Sequence, residues 1–394
     1  MTLAELEMNP HPALARMRPV AWVPELDAWL VTGYGPAVAV LRDPRTFTVD
    51  DPRFATARVV GPSMLSLDGE RHARHRAAFT AGFRADVVRE RLAAFVQTET
   101  DRLVAGIAAG GAADLRRAVA APLSVAVMAH ALGLDDEPGI DTILGWYAAI
   151  VAATSAYASG EPAADVLEAG AAAFGELSGH LRAAARPDSL LAEATGPRDA
   201  AGLEFGRLEG GAGLTLDEAV SNAAVLMFGG IETTEAMIAN AMLHLLSSPD
   251  QLALVRANPG LVPAAVEESL RLEPAAAVVD RYATADTELA GARIRAGDQV
   301  TVSIAGANRD PDMFPGPDRF DVRRANAARH LAFAHGPHFC LGAHLARLEA
   351  RVAVQTMLAR LPRLRMDGPQ GSHQARGLVF RKPPNLPARW SPAR

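Results

Sequence analysis

The stretch that most restricts how this chain can fold is Leu331–Glu349, LAFAHGPHFCLGAHLARLE, which holds Cys340, the only cysteine among 394 residues. Gly336, Pro337 and Gly342 interrupt regular structure on both sides of the cysteine, and Phe333 adds a ring. From Leu341 onward apolar residues recur at Leu341, Leu345, Leu348 and Val352, a helical spacing. The pattern predicts a constrained loop that delivers Cys340 to a helix N-terminus. There the backbone N–H groups and the positive dipole end favour a thiolate over a thiol. His335 and His338 place two potential cations close by.

A lone cysteine can also be a small buried hydrophobe. Such a filler needs neither flanking glycines nor a neighbouring ring. One thiolate does not make a structural zinc site, which takes four ligands, and the chain has no CxxC pair. Haem iron takes a single axial thiolate and leaves its opposite face open for oxygen.

The run Phe333-Ala334-His335-Gly336-Pro337-His338-Phe339-Cys340-Leu341-Gly342 resembles the haem-binding loop of the cytochrome P-450 family, FGxGxHxCxG, with Ala334 where the family usually has glycine. The resemblance implies heme b (iron protoporphyrin IX), Cys340 as its metal ligand, and Phe333, His338 and Gly342 in contact with it. It also implies the fold class: mainly α with small β-sheets, the cytochrome P-450 fold. In that fold a long central oxygen-binding helix and the Cys-ligand loop sandwich the haem, within one domain spanning 1–394.

Three further motifs follow the family's order. Thr215-Leu216-Asp217-Glu218 reads as a capping box that starts a long apolar helix running to about Leu246. That helix carries Gly229-Gly230-Ile231-Glu232-Thr233-Thr234. Two adjacent glycines in a helix interior cost on the order of 2 kcal/mol against alanine, so bare backbone has a use there, such as close approach of a flat ligand. Thr233 can bond back to the carbonyl of Gly229 and bend the helix; a merely kinked structural helix would show the same pattern. The run resembles the family's [AG]GxxTT helix. Carried over, Glu232 and Thr233 are the catalytic proton-delivery pair, Gly229 borders the haem, and Val225, Phe228 and Gly229 look into the substrate pocket.

Asp68–Arg84 is cationic near its start and helical in pattern, with His72 and Arg76 on one face. Pattern alone allows a solvated basic face. Its resemblance to the family's HxxxR segment makes His72 and Arg76 a clamp for haem propionates, a role that suits a planar guanidinium. Glu268 and Arg271 stand at i, i+3 and resemble the family's buried ExxR, with Arg319 expected as third member of that structural network. Arg281 and His338 match further propionate donors. Val60 and Met64, in an apolar irregular stretch from Asp43 to Leu67, match the family's segment over the substrate. Ala277, Val278, Val279, Leu378 and Val379 match pocket walls.

Elsewhere the chain reads as Val20–Val23 and Trp29–Thr32 in a hairpin, a helix from Tyr34 to about Arg42, and helices over most of 85–186. Breaks fall near Gly110-Gly111 and Gly160-Glu161-Pro162, and Gly196 to Gly213 is a glycine-rich linker. By resemblance, Ile140 to about Ser155 and Ala163 to about Ala185 form the helix pair over the pocket. Pro263 opens a helix through Arg271. Strands are expected at Leu289–Ile294 and Gln299–Ser303, with Gly297 turning between them.

Net charge of −6 favours neither nucleic acid nor an anionic membrane surface. Lys382 is the only lysine; arginine supplies the rest of the positive charge. A single cysteine suits a reducing compartment. With no signal pattern in residues 1–30 and no apolar run of ~18 residues, a soluble cytoplasmic monomer is expected. The resemblance implies a monooxygenase that inserts one atom of O2 into a small hydrophobic organic substrate. With no reductase domain after Arg394, electrons are expected from a separate ferredoxin, docked through arginines such as Arg74 and Arg347. A peroxide-driven peroxygenase and a haem-based sensor remain the alternatives at this stage.

Overall fold

The N-terminal hairpin forms as its alternation predicts: β1 (Val20–Val23) pairs antiparallel with β2 (Ala28–Val31), and Asp27 turns between them at φ +47°. The structure, a computed structural model, describes residues 2–134, 138–158, 163–185, 189–196, 213–369 and 373–392. The break at Gly160-Glu161-Pro162 and residues 197–212 of the glycine-rich linker lie outside the described residues. The chain divides into two compact units: Met1–Thr48, Arg89–Ser124 and Gly230–Arg394 form the first, Val49–Val88 and Val125–Gly229 the second.

The first unit holds all the described strands. After β1 and β2 come β3 (Phe47–Thr48), β4 (Ala112–Asp114), β5 (Val278–Ala283), β6 (Thr287–Leu289), β7 (Ala292–Ile294), β8 (Gln299–Ser303), β9 (Arg365–Met366) and β10 (Pro387–Arg389). The main sheet runs β1-β2-β8-β5-β3; β4-β10-β9 and β6-β7 form two smaller sheets. Val300 and Val302 on β8 alternate inward and meet Val20, Val31, Val40, Leu41 and Leu331 in one buried cluster. Leu331 begins the cysteine loop, so the sheet core fixes one end of that loop. The expected single strand Leu289–Ile294 is instead the β6–β7 hairpin, turning at Ala290 (φ +49°) and Gly291 (φ +81°). Its short apolar run hides a two-residue turn. The Ala-Ala-Asp of β4 has no strand composition and is recruited only by pairing with β10.

In the second unit the stretch expected as irregular contains a helix, Ala55–Val60. The Gly69–Thr80 helix follows, then Ile140–Ala158 and Ala164–Ala184, which pack closely. A Cβ on Gly170 would lie 2.4 Å from that of Ala153, so glycine sets how near the two helices come. The Leu216–Ser247 helix starts as predicted: Glu218 N–H donates to Thr215 Oγ1 at 3.2 Å and Thr215 N–H to Glu218 Oε2 at 2.9 Å. It stays α-helical without interruption past its paired glycines to Ser247. Among the described residues, no helix is long and apolar enough to cross a membrane.

Candidate active site

The cysteine loop is built by short-range backbone bonds. Ala334 N–H donates to Leu331 O at 2.8 Å, Phe339 N–H to Gly336 O at 3.0 Å, and Cys340 N–H to Phe333 O at 2.9 Å. The last bond closes the loop and leaves Cys340 just ahead of the Ala343–Arg360 helix, whose N-cap is Gly342. Gly336 sits at φ +71°, and a Cβ there would lie 2.4 Å from Leu41 O, so only glycine fits. Ala334, the departure from the family pattern, also adopts a left-handed φ of +57°. Holding alanine there costs about 1–2 kcal/mol.

Side chains brace this loop from the helix that carries the ExxR pair. Glu267 on Val262–Leu272 accepts two bonds from Arg347, at 2.7 and 2.9 Å, and lies 3.2 Å from His330 Nε2. Burial raises the Glu267 pKa, yet the bonds from His330 and Arg347 outweigh it and hold the carboxyl at about 2. Arg347 also stacks on the Phe333 ring, 4.4 Å from its centroid. Asn308 Oδ1 accepts from Leu331 N–H at 2.7 Å. Burial, then the charge of Arg42, lowers the His335 pKa, so of the two potential cations near Cys340 this one favours the neutral ring at pH 7.

The ExxR pair is buried as expected, both side chains being 0% exposed. Arg271 donates to Glu268 through Nε at 2.7 Å and Nη2 at 2.9 Å, and its remaining N–H groups meet the carbonyls of Asn308, Pro317 and Arg319. The third side chain is Arg324, not Arg319. Arg324 Nε donates to Glu268 Oε1 at 2.9 Å, whereas the Arg319 side chain is 76% exposed and pairs with Asp321. Arg319 contributes only its backbone carbonyl. Both arginines lie in one irregular stretch that turns at Gly316 (φ +60°).

Glu232 and Thr233 lie half-buried on the Leu216–Ser247 helix. Glu232 Oε1 is 2.7 Å from Lys382 Nζ, which also donates to Glu235 Oε2 at 2.7 Å. Glu235 Oε1 in turn lies 2.6 Å from Arg116 Nε. Glu235, Lys382 and Arg116 were not legible as site residues. The one available signal was that Lys382 is the sole lysine of the chain.

Arg281, on β5, is buried and donates through Nη1 to Asp280 O at 2.7 Å. Ala277 and Leu378 come together on a small apolar cavity with Leu6, Leu14 and Ala305. Ala277 N–H donates to Val379 O at 2.8 Å, while the Val379 side chain is exposed. Val279 packs separately, against the main sheet core. Arg347, expected to dock a partner, is engaged with Glu267.

In the second unit His72 is buried on Gly69–Thr80 with Arg76 one turn on. Arg74 is committed to a two-pronged pair with Glu218. Buried His75 is held at both nitrogens, by Asn222 Nδ2 at 2.9 Å and by the Glu218 carboxylate at 3.5 Å. Asn222 also accepts from Met64 N–H at 2.8 Å, which ties the Met64 turn to the long helix. Val60, Met64 and Val225 are buried, and Phe228 meets the Tyr147 ring at 5.9 Å.

The donor set can be tested against haem. Among the described residues, no three His, Cys, Asp or Glu side chains gather to hold a bare metal ion. A metal at Cys340 has to bring its other ligands with it, as haem iron does. A Cβ on Gly342 would project into open space, leaving bare backbone close to Cys340 on which a flat ring can lie. The residues fit the group.

Comparison with known proteins agrees. Residues 194–386 match the family model described as Cytochrome P450. Cytochrome P450 monooxygenase PikC from Streptomyces venezuelae is 38% identical, across 97% of this chain and 91% of PikC. Mycinamicin IV hydroxylase/epoxidase from Micromonospora griseorubida is 34% identical, across 92% and 90%. Among solved structures, P450BioI in complex with an acyl carrier protein superimposes with a TM-score of 0.85 at 28% identity, covering 98% of this chain and 100% of that one.

Proposed function

Because this chain belongs to the cytochrome P450 family, and is therefore an oxygenase that uses haem b, we propose that Cys340 is the residue whose thiolate would hold that haem. The observation that carries this reading is the loop itself. Its closing bond from Cys340 N–H to Phe333 O and its glycine-only turn at Gly336 hold the one sulfur of the cysteine ahead of a helix N-terminus. Haem supplies the redox-active iron for RH + O2 + 2e⁻ + 2H⁺ → ROH + H2O. Cys340 would hold that iron through its thiolate. Glu232 and Thr233 hold and pass the protons that the reaction consumes. By the family pattern, His72, Arg76, Arg281 and His338 would donate to the haem propionates, and Phe333, Gly229 and Gly342 would border the ring.

The substrate in this reading is a small, largely apolar organic molecule. The residues that match the family's pocket walls, Val60, Met64, Val225, Phe228, Ala277, Val279, Leu378 and Val379, are all apolar. Relatives named for hydroxylating or epoxidising mycinamicin IV and for 25-hydroxylating vitamin D(3) support hydroxylation or epoxidation. A separate ferredoxin supplies the electrons, and the chain works as one haem domain, as a monomer in the cytoplasm.

The test is spectroscopic first. The ferrous protein under carbon monoxide shows the red-shifted Soret band of thiolate ligation, and Cys340→His, with haem retained, loses it. An unchanged band in Cys340→His would refute the ligand assignment. Product formation with ferredoxin, its reductase and NADPH, against hydrogen peroxide without them, tests the electron source. Titration of the ferric protein with apolar compounds identifies the substrate class by its high-spin shift.

A further inference from the structure

Glu232 and Glu235 stand three residues apart on one helix, so their carboxylates share a face. Both are largely withdrawn from solvent, with side chains 13% and 6% exposed. Two carboxylates so placed repel, and a cation between them offsets that repulsion. Lys382 supplies that cation, its Nζ 2.7 Å from an oxygen of each. Arg116 closes the other end at 2.6 Å from Glu235, anchored by its Nη1 bond to Pro384 O at 2.7 Å. The result is a charge-balanced row, Arg116–Glu235–Lys382–Glu232, built from three distant parts of the chain.

Two features mark the row as more than incidental pairing. Arg116 opens a π-helical turn, Arg116–Ala120, before the Ala121–Leu132 helix; such turns are uncommon and frequent at functional sites. Lys382 is also held by its backbone, which exchanges bonds of 3.0 and 3.2 Å with Arg376. Its neighbour Arg381 is committed to Glu273 and four backbone carbonyls. In a chain that otherwise uses arginine for positive charge, the compact ammonium stands where two carboxylates converge on one point.

We propose that Lys382 is the positioning residue for Glu232: its ammonium, 2.7 Å away, holds the Glu232 carboxylate in the orientation from which it accepts and passes the protons of turnover. The inference rests on the reading of Glu232 as the proton-delivering acid. The charged groups facing Glu232 and Glu235 in this row are Lys382 and Arg116. Removing the ammonium leaves the two carboxylates facing each other with no cation between them, so Glu232 loses its orientation and proton transfer through it slows.

The experiment uses the haem-loaded, full-length enzyme with its electron donors and a substrate found by the high-spin titration. Lys382→Met is expected to lower product formed per NADPH at least ~tenfold, with the electrons lost to peroxide. Lys382→Arg keeps the charge and restores most of the coupling, an outcome a role in packing alone would not produce. Because Lys382 is the sole lysine, ¹⁵N-lysine labelling gives one ammonium signal. Glu232→Gln and Glu235→Gln should each shift it, in the protein at rest. An ammonium signal indifferent to both variants overturns the proposal whatever the turnover data show. So does Lys382→Met with normal coupling while Glu232→Gln is uncoupled, and in that case the reading of Glu232 survives. If Glu232→Gln itself stays fully coupled, the reading fails and the proposal falls with it.

Discussion

The reassignment of the third ExxR partner gives a sharp prediction. Arg324→Ala removes a side chain that is 8% exposed, and with it the bond to Glu268 and bonds to the carbonyls of Pro315, Gly316 and Arg319 at 2.8–3.1 Å. Taking one partner from a buried ionic network costs about 3–5 kcal/mol. Glu268 keeps both bonds from Arg271, which puts the loss near the lower end, about 3 kcal/mol. Arg319→Ala removes an exposed pair worth about 0–1 kcal/mol and leaves the carbonyl that Arg271 uses. With an unfolding entropy of about 2.1 cal/mol/K per residue, 394 residues give roughly 0.8 kcal/mol/K. Arg324→Ala should then lower the thermal midpoint by about 4 °C, and Arg319→Ala by about 1 °C or less. Differential scanning calorimetry of both variants, each with matched haem content, makes the measurement. Equal losses in the two, or a larger loss in Arg319→Ala, would refute the reasoning.

Three other outcomes follow from the same geometry. Ala334→Gly relieves a left-handed alanine and should stabilise by about 1 kcal/mol, whereas Gly336→Ala, whose Cβ would meet Leu41 O, should destabilise by about 2–4 kcal/mol and impair haem retention; thermal melts and haem content check both. Glu267 has a folded pKa of about 2 against an ordinary 4.5, so its pairing with Arg347 and His330 stabilises fully above about pH 4.5 and is lost as pH falls toward 2. In Glu267→Gln that part of the acid destabilisation should disappear from urea melts taken between pH 3 and 6. Glu349 behaves oppositely: burial, with no partner for Oε2 among the described residues, raises its pKa well above 4.5. The folded state keeps that proton while the unfolded chain releases it, so stability falls as pH rises above 4.5. Glu349→Gln should therefore gain on the parent protein in melts from pH 5 to pH 8; a constant difference would contradict this.

Much of the site was legible because its signals are local. The glycines, ring and cysteine of 333–342 predict a loop before a helix, and that loop closes through bonds within ten residues of sequence. The capping box at Thr215 and the i, i+3 pair of Glu268 and Arg271 are local in the same sense, since helix geometry alone brings those side chains together. The hairpin at β1–β2 follows from alternation and a turn.

What tertiary structure decided is what depends on contacts between distant parts of the chain. Composition does not distinguish Arg324 from Arg319; the folded chain does, placing one guanidinium on Glu268 and the other in solvent. Nothing near Ala112–Asp114 predicts a strand until β10 lies beside it. Glu232 could be named from its neighbours on one helix. The cation that faces it, Lys382, is 150 residues away in sequence and reaches it only because the Arg376–Lys382 bridge and the Glu273–Arg381 pair fix the C-terminal segment there. Sequence determines the turns, caps and periodicities that a few neighbouring residues enforce. Which charges meet in the interior is settled only by folding, because an ion pair is worth keeping there only when its partner arrives in the right place and both are fully bonded.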